Sequence, residues 1–253
     1  MHNSQIFIPA NIKNNLPLVI ALPGIVAGDE PTRINSILED LSTNYGIMGI
    51  RLNYVEKEEI RGCIAYKFNI HDSALNIENT IEKALEELPI DSNRIGIISN
   101  SISAFPATKY LINYQKSNKK ARIRCYTSIS PLLGWQYFLN REIREYLEKE
   151  KIDILLNECN RGKDTKNKII PREMIPQLIK MDAIADLESY IPNGVEIRTI
   201  LGSKDRKADP KSMRKYHFRL GGKSEDLIVL DTDHDVPDSN NYVISFMVQH
   251  LNG

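Results

Sequence analysis

No run in this chain approaches the ~20 consecutive apolar residues that a membrane-crossing helix needs, so no membrane span is expected. Charge of one sign is missing too, because 33 Lys and Arg balance 33 Asp and Glu. That balance argues against a nucleic-acid partner, which a basic surface would announce. Cysteine is scarce: Cys63, Cys125 and Cys159 are odd in number, far apart and outside any CxxC spacing. They read as free thiols of a reducing cytoplasm. Met1–Ser4 has neither the basic start nor the apolar stretch of a secretion signal, so a cytoplasmic location is expected. GxGxxG and GxxxxGKS/T are absent, and no His, Asp and Glu spacing suggests a metal site, so no cofactor is expected. No internal repeat or low-complexity tract is present.

What remains is ordinary globular material. The 253 residues are 42% apolar and 26% charged, enough for one core of normal size. Leu18–Leu22 is continuously apolar, as in a strand buried on both faces, and ends at Pro23-Gly24. Gln5–Ile8 reads as an edge strand. Further strands are expected over Ile47–Tyr54, Ile95–Ile98, Ile123–Ile129, Val195–Leu201 and Leu227–Leu230. Helices are expected between them, over about Pro31–Asn44, Asp72–Leu88, Ser103–Tyr114, Pro210–Leu220 and Asn240–Leu251. In the second of these, Ile77, Ile81, Ala84, Leu85 and Leu88 form one apolar stripe. Strands alternating with helices imply an α/β fold: a mostly parallel sheet covered by helices on both faces. From Leu132 to about Asp186 no strand is evident, and charged helix-prone segments take over. One such helix lines up Trp135, Phe138, Leu139, Ile143 and Leu147, and a second is expected over Pro171–Lys180. The chain thus divides into a core of 1–131 and 187–253 and a helical insertion of 132–186. That insertion is either a lid over the carboxyl ends of the strands or an extra packing layer.

Three polar residues each follow an expected strand. Ser101 lies in Ile95-Gly96-Ile97-Ile98-Ser99-Asn100-Ser101-Ile102-Ser103-Ala104, which reads as strand, sharp turn and helix. Asp205 follows Leu201-Gly202-Ser203-Lys204, and His234 stands in Asp233-His234-Asp235. Loops after parallel strands open on one edge of the sheet, so distant residues can meet there. A serine needs a base to become a nucleophile, histidine suits that task near neutral pH, and an acid must orient the imidazole. Asp231, Asp233 and Asp235 compete for the acid role. They stand too close to His234 in the chain to face its ring easily from behind, which favours Asp205. Backbone N–H groups of Ile25, after the first buried strand, and of Ile102, after the serine, are the candidate donors to an oxyanion. The remaining histidines carry no such pattern: His2 is terminal, His71 precedes a helix, and His217 and His250 sit on mixed helical faces.

With these residues in place, the chain resembles the α/β-hydrolase superfamily over nearly its whole length. Within it, the similarity is to small cytosolic esterases of the serine-aminopeptidase-like and feruloyl-esterase-like group. Leu18–Gly28, Ile47–Tyr54, Asn93–Ile98, Pro171–Asp186, Ile200–Asp205 and Asp233–Asp235 carry the resemblance. It implies Ser101 as nucleophile, Asp205 as acid and His234 as base. The chain departs from the pattern at named places. Pro23 replaces the histidine of His-Gly, Val55-Glu56-Lys57-Glu58 stands where a Gly-His-Gly loop would be, and Ser99 and Ser103 replace both glycines of the elbow. Pro106 falls where its ring should disturb the following helix. A Ser-x-Ser elbow is similar to that of the acyl-carrier-protein thioesterases of bacterial bioluminescence, which brings a thioester into play. The resulting expectation is a serine hydrolase acting on a small-molecule acyl ester or thioester through an acyl-enzyme. Trp135 and Phe138 either line an acyl pocket or pack the insertion on the sheet. The alternative is a hydrolase-like fold that binds a small ligand or protein partner without turnover. Substrate identity and oligomeric state stay open.

Overall fold

The computed structural model describes residues 4–12, 14–24, 33–60, 63–115, 121–134, 154–155, 168–170, 180–190 and 194–253. Its organising strand is β2 (Leu16–Leu22), in which all seven residues are buried. Leu18, Ile20 and Leu22 point into one apolar cluster, while Val19 and Ala21 point into another on the opposite face. Period-2 alternation with no polar residue is what a strand covered on both faces requires. Each fully buried Leu, Ile or Val contributes about 1.5–3 kcal/mol, so both helical layers are held mainly by this strand and its neighbours.

Around β2 lie β1 (Ser4–Phe7), β3 (Met48–Leu52), β6 (Ile90–Asn100), β7 (Ile123–Ile129), β10 (Glu196–Gly202) and β11 (Leu227–Leu230), in the order β1-β3-β2-β6-β7-β10-β11. All neighbours pair in parallel except β1 with β3. One face carries α2 (Ile70–Glu87), α3 (Ala104–Gln115) and α5 (Pro210–Arg219), which bury Ile77, Leu111 and Met213. The short α4 (Ala183–Asp186) sits on that side as well. The other face carries α1 (Arg33–Tyr45) and α6 (Asn240–Leu251), which bury Leu38 and Phe246. The expected mostly parallel α/β sheet with helices on both faces is therefore observed. The chain segments after β2, β6, β7, β10 and β11 share the sheet's carboxyl edge.

Two differences from the sequence reading stand out. β3 stops at Leu52, and the chain continues as a hairpin of β4 (Val55–Ile60) and β5 (Cys63–Phe68). Glu56, Lys57, Glu58 and Glu59 are poor strand formers, so nothing local announces this hairpin. It is held instead from β5, where Tyr66 is fully buried and Phe68 nearly so in the main core. The second difference concerns the insertion of 132–186. Its described residues include β8 (Ile154–Leu155) and β9 (Lys168–Ile170), which join the hairpin as a small sheet in the order β4-β5-β9-β8. The expectation of no strand there fails because β9 pairs with β5 across a long stretch of sequence, Ile64 opposite Lys168. The helices expected around Trp135–Leu147 and Pro171–Lys180 lie outside the described residues.

Candidate active site

The sharp turn after β6 is built by backbone strain and small hydroxyls. Ser101 has φ 58°, in the left-handed region that non-glycine residues rarely adopt. A short 3-10 turn, Ser101–Ser103, joins it to α3. Ser103 is fully buried, and its Oγ accepts the Asn100 N–H at 2.7 Å. The same hydroxyl lies 2.8 Å from both the Asn100 and the Leu22 carbonyls, so its proton is shared between them. The serine in place of the second elbow glycine therefore ties the turn to the end of β2. The Ser101 carbonyl is held as well, accepting the Leu132 N–H at 3.0 Å. Pro106 proves harmless. It is the third residue of α3, within the first turn, where an N–H has no acceptor in that helix.

From this turn the Ser101 Oγ reaches His234 Nε2 at 2.9 Å. His234 Nδ1 lies 2.7 Å from Asp205 Oδ2. The other carboxylate oxygen of Asp205 accepts the N–H groups of Lys207 at 2.8 Å and Ala208 at 3.0 Å. A carboxylate only accepts, so Asp205 fixes the imidazole proton on Nδ1 and leaves Nε2 free to accept from the serine. The Asp205 side chain has no exposed surface and that of His234 is 11% exposed, which strengthens their interaction. Of the four aspartates weighed above, Asp205 is the one facing the ring. Asp233 instead accepts the His234 N–H at 2.7 Å and pairs with Arg206. Those contacts, the backbone N–H first, hold its carboxyl below the ordinary range. Asp231 pairs with Lys204.

The loop bearing His234 is fastened to the loop bearing Asp205 by backbone bonds from Ser203 N–H to the Leu230 carbonyl and Lys204 N–H to the Thr232 carbonyl. Gly202 permits this approach, since a Cβ there would lie 2.3 Å from the Asp233 carbonyl oxygen and 2.4 Å from that of Thr232. A further residue, missed in the sequence, holds the loop from the other side. Ser130, buried and with φ 43°, donates its hydroxyl to the His234 carbonyl at 2.6 Å. Its position just past an apolar strand, before Pro131, matches that of Ser101 and was the available signal.

Ile102, one of the two candidate oxyanion donors, occupies the first turn after Ser101, where N–H groups point away from any helical acceptor. Ile25 lies outside the described residues, but Gly24 beside it abuts the nucleophile: a Cβ there would sit 3.5 Å from Ser101 Cβ. Trp135 and Phe138 also lie outside the described residues. Among the described residues, no group of three His, Cys, Asp or Glu side chains is placed to hold a metal ion.

No protein-family model matches the sequence, and no curated protein does. Solved structures do resemble it over nearly all its length. Est1E from Butyrivibrio proteoclasticus, solved with ferulic acid bound, superposes with a TM-score of 0.69 at 13% identity, covering 99% of this chain and 96% of that one. A hyperthermophilic esterase from the archaeon Pyrobaculum calidifontis gives 0.61 at 11% identity, with 98% and 80% covered. Acetyl xylan esterase 1 from a Thermoanaerobacterium species gives 0.60 at 15% identity, with 97% and 78% covered. At such identities the likeness is one of fold, and the fold is that of the α/β-hydrolases.

Proposed function

We propose that this chain, an α/β-hydrolase by fold, is a serine hydrolase that cleaves a carboxylic ester or thioester through an acyl-enzyme. The observation that carries the reading is the continuous run Ser101 Oγ, His234 Nε2, His234 Nδ1, Asp205 Oδ2, with links of 2.9 and 2.7 Å, at a strained strand-to-helix turn. Ser101 Oγ attacks the substrate carbonyl while its proton passes to His234 Nε2. Asp205 orients the ring and stabilises the imidazolium. The N–H groups of Ile102 and Ile25 receive the negative charge of the tetrahedral intermediate. As the carbonyl reforms, the bond to the leaving alcohol or thiol breaks and that group takes the proton from His234. Water, deprotonated by the same imidazole, then adds to the acyl-serine, and Ser101 leaves with the proton restored. The cycle runs on these groups alone.

The esterases among the similar structures favour an ester as substrate, and the Ser-x-Ser turn keeps a thioester in the reading. Trp135 and Phe138, at helical spacing in an apolar stripe of the sequence, are the proposed contacts for the acyl chain, within an insertion proposed as a cap. The odd number and wide spacing of the three cysteines favour the cytoplasm. The experiment is labelling with a fluorophosphonate probe. Wild type is expected to label and Ser101→Ala not at all; folded wild type that stays unlabelled would favour a binder without turnover. Short p-nitrophenyl esters compared with long acyl thioesters then separate esterase from thioesterase.

A further inference from the structure

Ser99, the serine in place of the first elbow glycine, is fully buried, so its hydroxyl needs a partner. It lies 2.7 Å from the Tyr126 hydroxyl. The Tyr126 hydroxyl lies 3.0 Å from that of Tyr216 on α5. The Tyr216 hydroxyl lies 2.6 Å from Thr108 Oγ1, which donates to the Ala104 carbonyl at 2.6 Å. Ser99, Thr108, Tyr126 and Tyr216 have no exposed surface. The end of the series sets its direction. A carbonyl only accepts, so the single proton of Thr108 points to Ala104. Thr108 therefore accepts from Tyr216, Tyr216 from Tyr126, and Tyr126 from Ser99. Burial raises both phenols above their ordinary range, that of Tyr126 to about 12, which keeps both protonated as this order requires.

The series starts on the residue pair before Ser101 and ends on the first residue of α3 behind it. It leaves the elbow through β7 and α5 and returns to it. We infer that Tyr126 and Tyr216 are positioning residues for the nucleophile, closing a hydroxyl clamp across the two flanks of a turn that has no glycine to relax into. The left-handed Ser101 backbone is costly, and it persists only where its surroundings hold it. Removing one hydroxyl orphans its buried neighbours and frees one flank. The Ser101 Oγ then drifts from His234 Nε2 while the substrate side of the site keeps its shape. This inference rests on the serine-hydrolase reading above.

The test is the time course of fluorophosphonate labelling, which separates the binding constant of the probe from the rate constant at which Ser101 Oγ bonds phosphorus and fluoride leaves. Tyr126→Phe and Tyr216→Phe are expected to slow this phosphonylation about 10- to 100-fold per folded molecule, with probe binding unchanged within about twofold. Ser99→Ala removes the first donor of the series and strands no donor, so a slowing of about three- to tenfold is expected, and it serves if a tyrosine variant fails to fold. In Ser99→Ala/Tyr126→Phe the two effects should be less than multiplicative. Leu41→Ala empties a buried apolar site on α1, in the helical layer on the opposite face of the sheet from α3 and α5. It should lower the melting temperature and leave phosphonylation alone, so slowing in the clamp variants is not a general loss of stability. Phosphonylation at the wild-type rate in all three clamp variants, or equal slowing in Leu41→Ala, overturns the clamp. Wild type that never labels, although folded, removes the hydrolase reading and the clamp with it, so the two failures are distinct.

Discussion

Two histidines in this molecule do the same geometric thing, and only one of them is a candidate base. His234 stands between the Ser101 hydroxyl at 2.9 Å and the Asp205 carboxylate at 2.7 Å. His217, on α5, stands between the Thr199 hydroxyl at 3.1 Å and the Lys223 carbonyl at 2.8 Å. Hydroxyl, imidazole and oxygen acceptor are common to both. The acceptor differs first: a carboxylate stabilises an imidazolium, whereas a carbonyl carries only a dipole. The hydroxyl differs second. Thr199 lies in the middle of β10, fully buried, and its own oxygen accepts from Ser128 at 3.0 Å. Ser101 stands at the sheet's edge, half-buried, on a left-handed residue. A hydrogen-bonded series of this kind becomes a candidate site when it ends where a substrate can reach it and a fixed charge stands behind the base.

The largest expected effect comes from erasing the first difference. Asp205→Asn keeps the shape and removes the charge and the purely accepting edge, so the amide can impose the wrong tautomer on His234. Hydrolysis of a p-nitrophenyl ester should fall about 10,000-fold. Asp233→Asn should cost far less, because Asp233 meets the His234 backbone and not its ring. Equal losses in the two variants would mean that the facing carboxylate has been misassigned.

Next in size come the glycines that seat each histidine. Gly202→Ala drives a Cβ against two backbone carbonyls of the His234 loop, which can yield only by moving the loop. A displacement of about 1 Å there should slow turnover about 100-fold. Gly222→Ala sets a Cβ 2.2 Å from the His217 ring. That variant should melt at a lower temperature and hydrolyse normally per folded molecule. A Gly222→Ala variant with a specific loss of turnover would erase the distinction between the two histidines.

The same contrast explains what could be read from the sequence. Ser101, Asp205 and His234 were legible because each follows a strand that shows in the sequence, and parallel topology alone then gathers them at one edge. His217 carries no such signal on its mixed helical face, since burial of one side chain among Thr199, Gly222 and Lys223 is a tertiary fact. The hydroxyls of Ser99, Tyr126, Tyr216 and Thr108 were illegible for the same reason: their partners lie on different elements, and no local pattern records them. The β4–β5 hairpin was hidden by its charged residues, because its support comes from Tyr66, Phe68 and β9. The concern over Pro106 dissolved once a 3-10 turn moved the helix start past Ser103.

The smallest expected effect separates the two histidines by pH. Burial lowers the His217 pKa from its ordinary value, against smaller upward contributions from the Lys223 carbonyl and Asp226. The neutral ring matches its surroundings: Nε2–H donates to Lys223 and Nδ1 accepts from Thr199. A proton on Nδ1 would face the Thr199 donor and reverse the order back to Ser128. The unfolded chain therefore binds this proton more readily than the folded one, and stability falls as pH drops below the unfolded value of about 6.5 toward the lowered folded value. His217→Gln removes that titration and should cost about 1–2 kcal/mol at neutral pH through poorer hydrogen bonding. Thermal melts from pH 7.5 down to 5 should show a steeper decline in wild type than in His217→Gln, so that the two curves converge in acid. Parallel curves would mean that His217 folds equally well charged and uncharged, and the second series would then be as tolerant of an imidazolium as the first.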